Sequence, residues 1–110
     1  MTWGPVHDAV ELENVSLLRD LLDAGADVEG DAGDGWTLLR HAIDIEVDSF
    51  DQGDSLHVDV TALLISRGAD PERTYNGISA LESARNRGHW LAVELMESWL
   101  GRNASRELLW

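Results

Sequence analysis

Four histidines, His7, His41, His57 and His89, and 21 carboxylates are the residues of this chain with chemistry to offer. A metal hydrolase needs its ligands clustered, and His-Glu-x-x-His is the usual helical device. That spacing is absent. Cysteine is also absent, which removes thiolate nucleophiles, disulfides and cysteine-based zinc sites. Two carboxylate runs invite calcium: Asp27, Glu29, Asp31 and Asp34, then Asp44, Glu46, Asp48, Asp51 and Asp54. An EF-hand loop also needs glycine at its sixth place and glutamate at its twelfth. Counted from Asp27 those places are Ala32 and Leu38; counted from Asp44 they are Ser49 and Ser55. Both fail, so the runs read first as solvated acidic loops. No Gly-x-Ser-x-Gly elbow presents a serine nucleophile. No lysine follows Gly33-Asp34-Gly35, and its surroundings are negative, so it does not cradle a phosphate. The expectation is a chain with no catalytic residues, no metal and no cofactor.

The elements that would position these side chains repeat along the chain. Leu21-Leu22-Asp23-Ala24-Gly25-Ala26-Asp27 recurs as Leu63-Leu64-Ile65-Ser66-Arg67-Gly68-Ala69-Asp70, with one extra residue before the glycine. A second motif precedes each copy: Gly4-Pro5-Val6-His7-Asp8-Ala9, then Thr37-Leu38-Leu39-Arg40-His41-Ala42, then Ser79-Ala80-Leu81-Glu82-Ser83-Ala84. Ala42 follows Ala9 by 33 positions, and Ala84 follows Ala42 by 42. The excess lies in about ten residues between the second hexapeptide and its Gly-Ala-Asp, roughly positions 45–56.

A period of 33 with a degenerate Thr-Pro-Leu-His-x-Ala motif resembles the ankyrin repeat. The resemblance runs from about Pro5 to Leu100 and includes Gly88-His89 at the third helix turn. It implies an all-α ankyrin-repeat solenoid of three helix-turn-helix repeats with short β-like fingers. Repeat 1 would span about 4–33, repeat 2 about 34–75 with its insertion at 45–56, and repeat 3 about 76–101. Residues 102–110 would form a cap or a tail. The long insertion departs from the family, whose helix turns are short. The resemblance also gives His7, His57 and His89 turn-holding roles, and leaves His41 one place off the pattern and facing out.

The local signals agree with that layout. Pro5 suits a first helical turn. Thr37 and Ser79 suit N-caps, and Ser79 with Glu82 reads as a capping box. Val15, Leu18, Leu21 and Leu22 fall at helical spacing, as do Val60, Leu63 and Leu64, and then Leu91, Leu95, Met96, Trp99 and Leu100. Gly25 and Gly68 suit left-handed helix ends.

Charge narrows the partner. The 110 residues carry 21 acids against 8 basic residues, all arginine, for a net −13. Residues 1–55 hold 14 acids and 2 arginines, while residues 56–110 hold 7 acids and 6 arginines. Such a field repels nucleic-acid backbones and anionic lipid. No apolar run reaches 18 residues, and no basic-then-apolar leader opens the chain, so a cytoplasmic monomer is expected. Ankyrin proteins typically bind proteins through finger tips and the concave face of their first helices. Mapped here, that surface comprises Trp36, Tyr75, Asp31, Asp34, Arg40, His41, Asp44, Asp48, Phe50 and Asp51. The expected function is non-catalytic capture of a basic protein, for example by an immunity protein masking a toxin. A regulatory or assembly adaptor is the alternative, as is a calcium- or ligand-binding protein using the acidic insertion.

Overall fold

A computed structural model of the chain describes residues 4–31 and 33–108, the last six by backbone alone. Its elements run α1 (Pro5–Glu11), α2 (Val15–Asp23), α3 (Leu38–Asp51), α4 (Asp59–Ser66), β1 (Thr74–Tyr75), β2 (Ile78–Ser79), α5 (Ala80–Arg87) and α6 (Trp90–Leu108). The fold is helical, and no helix among the described residues is long and apolar enough to cross a membrane.

Local chemistry sets the boundaries. Asn14 Oδ1 accepts the Leu17 amide at 3.1 Å and starts α2. Thr37 Oγ1 accepts the Arg40 amide at 3.2 Å and starts α3. Ser79 and Glu82 form the reciprocal capping box that opens α5. Gly53, at φ 106°, ends α3: its amide and that of Asp54 bond back to the carbonyls of Phe50 and Ser49. The same closure ends α2 at Gly25 and α4 at Gly68.

Helices adjacent in sequence pack as pairs: α1 on α2, α3 on α4, α5 on α6. The first helices then line up as α1, α3, α5 and the second helices as α2, α4, α6. Their shared interior holds Val10, Leu18, Leu38, Ile43, Val60, Leu64 and Met96, all sealed from solvent. Each such side chain contributes about 1.5–3 kcal/mol of burial. The small Ala9, Ala42 and Ala84 of the first helices are also buried. The stretch before α3 is tied by one bridge between Asp31 and Thr37. The stretch before α5 is a hairpin pairing Thr74 with Ser79 and Tyr75 with Ile78 around Asn76-Gly77.

The segment at 45–56 is not all loop. Helix α3 continues through it to Asp51, and α4 begins only at Asp59, two residues beyond His57. Its buried stripe explains the length, since Leu39, Ile43, Glu46 and Val47 keep helical spacing. The segment expected as a cap or tail continues α6 without a turn as far as Leu108, and Leu109 and Trp110 lie outside the described residues.

Candidate functional site

The first finger brings Trp36 onto the start of α3. Its amide donates to Asp34 Oδ1 at 3.0 Å, which fixes the turn, and its indole N–H donates to Asp44 Oδ2 at 3.2 Å. The ring stacks on His41 with centroids 4.1 Å apart and on His7 at 5.7 Å. Trp36 is therefore half-buried against its own molecule rather than a free anchor.

His41 does not face out. It is 1% exposed, because its place on α3 turns it toward α1. Its Nε2 bonds Glu11 Oε1 at 2.8 Å, its Nδ1 meets His7 Nδ1 at 2.9 Å, and His7 Nε2 bonds the Gly30 carbonyl at 3.3 Å. A carbonyl and a carboxylate only accept, so both Nε2 atoms carry hydrogen. One further proton must lie between the two Nδ1 atoms. Burial, and then the charge of His41, lower the pKa of His7, against opposing pulls from the Gly30 carbonyl, Asp31 and Asp34.

The second finger is held the same way. Arg40 Nη1 donates to the carbonyls of Tyr75 at 3.2 Å and Ile78 at 3.0 Å, and its guanidinium lies 5.3 Å from the Tyr75 ring centre. Tyr75 is half-buried by this contact. Asp44 and Asp48 receive the two Nη atoms of Arg87, each at 3.1 Å. Of the ten expected contact residues, Asp31, Asp34, Phe50 and Asp51 are exposed without an ion-pair partner among the described residues. Asp31 and Asp34 each bond one backbone amide of their own loop. Beside them lies a cavity of about 280 Å³, floored by Pro5, Val6, Ala26 and Leu38 and bordered by Asp27 and Asp31.

Two carboxylate–histidine clusters were not legible as sites. Glu46, expected on the acidic surface, is fully buried. Its Oε1 accepts from Thr61 Oγ1 at 2.7 Å and bonds His89 Nε2 at 2.8 Å, and its Oε2 accepts the Thr61 amide at 3.1 Å. His89 Nδ1 in turn accepts the Ala92 amide at 3.4 Å. One carboxylate thus serves the N-terminal turns of α4 and, through His89, α6. In the second cluster His57 Nε2 bonds Glu13 Oε1, and His57 Nδ1 bonds the Ser55 carbonyl at 2.9 Å. Both nitrogens face acceptors, so His57 is an imidazolium. The Glu13 hydrogen bond, then the Ser55 carbonyl, raise its pKa to about 9 against partial burial. Glu13 and His57 lie 44 positions apart, so no local pattern announces them.

A family scan, a search of curated proteins and a search of solved structures each found no match to this chain.

Proposed function

We propose that the chain is a three-unit ankyrin-repeat binding module that captures a basic protein through its first finger and the adjoining face of α1 and α3. Support for the repeat reading comes from the pairing order of the six helices and from the recurring motifs at their starts and ends. The observation that carries the partner class is the first finger itself. Asp27, Asp31 and Asp34 are exposed there with no basic side chain within 4 Å among the described residues. The apolar cavity beside Asp27 and Asp31 suits an arginine or lysine side chain, whose stem is apolar and whose head is cationic. Neutralisation of a basic toxin is one concrete form of this function, and a regulatory or assembly adaptor is another. The calcium reading has less support, since Glu46 is buried and Asp44 and Asp48 are held by Arg87.

The test is affinity capture from the source cells with the wild type and with the Asp31→Asn/Asp34→Asn double variant. A basic protein held at low salt, released at high salt and lost with the variant is expected. A partner held equally by both, with no salt dependence, refutes the electrostatic reading.

A further inference from the structure

We infer that Glu13, His57 and Asp59 form a zinc(II) site that clamps the turn of the first helix pair to the start of α4. One ligand atom from each of the three lies within 4.8 Å of the others, although the residues come from the α1–α2 turn, the α3–α4 loop and the first position of α4. His57 Nε2 faces both carboxylates, bonded to Glu13 and 3.9 Å from Asp59 Oδ1.

The surroundings are those of a metal site. A ligating histidine is normally oriented through its other nitrogen by a carbonyl or carboxylate. Here His57 Nδ1 donates to the Ser55 carbonyl at 2.9 Å. A ligating carboxylate is itself hydrogen-bonded. Here Glu13 Oε2 accepts from Ser49 Oγ at 3.0 Å. Asp59 is 57% exposed, so one side of the cluster is open to a water as fourth ligand. Glu13 also holds a left-handed backbone, φ 52°, at the turn where the third helix pair has Gly88.

The donor set favours zinc over the hard cations calcium and magnesium. One imidazole nitrogen and two carboxylates suit zinc, whereas calcium seeks 6–8 oxygens and magnesium keeps most of its waters. In the metal-free protein the Nε2 proton holds the place of the ion. Zinc binding releases that proton to solvent, leaving neutral imidazole as the ligand.

The test is calorimetric titration of zinc chloride into the full chain, stripped of metal by a chelator, in a non-coordinating buffer. The wild type is expected to bind one equivalent and to melt at a higher temperature when loaded. Asp59→Asn, at an exposed position, and His57→Gln should each weaken binding by roughly tenfold or more. Calcium chloride should give no binding. No zinc uptake by the wild type, or equal uptake by wild type and Asp59→Asn, overturns the inference. Asp59→Asn keeps the test decisive if His57→Gln fails to fold. Zinc held only by the His7–His41 pair would survive both substitutions and so counts as the negative result.

Discussion

A carboxylate sealed in an apolar interior is costly unless both its oxygens have donors. Glu46 meets that condition with three donors: two from Thr61 and one from His89. Removing it would strand all three. Glu46→Ala is therefore expected to lose roughly 3–5 kcal/mol in urea unfolding. That is a large share of the about 5–15 kcal/mol typical of such a domain. Glu46→Gln keeps an acceptor for Thr61 and should lose less. His57 is the other informative residue. Its pKa is about 9 folded against 6.5 unfolded, so its contribution is complete below pH 6.5 and is lost as pH rises through 9. The shift corresponds to about 3 kcal/mol at most. With His57 30% and Glu13 25% exposed, solvent screening reduces it to on the order of 1–2 kcal/mol. The unfolding free energy in chelator should be lower at pH 9.5 than at pH 6 by that amount, and Glu13→Gln should flatten the difference. His7 acts with the opposite sign. Its lowered pKa means the unfolded chain takes up that proton first, so stability declines as pH drops below 6.5.

Helix α3 is the element that departs from its neighbours. Aligned on Ala9, Ala42 and Ala84, α1 stops at the equivalent of Asp44 and α5 at the equivalent of Ile45. Helix α3 continues six residues further, about 9 Å at 1.5 Å per residue. The overhang has work on three sides. Glu46 reaches α4 and α6, Asp48 holds Arg87, and Ser49 holds Glu13. Phe50 stays 51% exposed near its end. Helix α5 shows the opposite economy: it is eight residues long and polar on its outer side, so it leans on its cap. Ser79→Ala removes the capping box and is expected to cost about 1 kcal/mol, read from the denaturation midpoint. Glu82→Ala, which removes the return bond alone, should cost less.

Across the whole molecule, stability should follow how many helices each helix packs against. Helix α3 packs on α1, α4 and α5 and has neighbours on both sides, while α1 and α6 lie at the ends. An element held by fewer neighbours opens at lower cost. Amide exchange is therefore expected to be slowest in α3 and in α4 around Leu64, and faster in α1 and the distal half of α6. Uniform protection along the chain would mean that the fold opens as one unit. Every histidine bonds between segments far apart in sequence, which adds to this nearest-neighbour coupling: His7 with His41, His41 with Glu11, His57 with Glu13, His89 with Glu46.

Helix starts and ends were readable from single residues because capping is local. Thr37, Ser79, Gly25 and Gly68 act on amides and carbonyls within a few positions of themselves. The buried stripes were readable because helical periodicity is also local. Contacts across 30 to 44 positions were a different matter. The acidic run placed Glu46 among surface acids and the ankyrin resemblance placed His41 at an open position, yet both are buried. Whether a charged side chain meets water or a partner depends on which helix lies beside it, and only the packing of the helix pairs determines that.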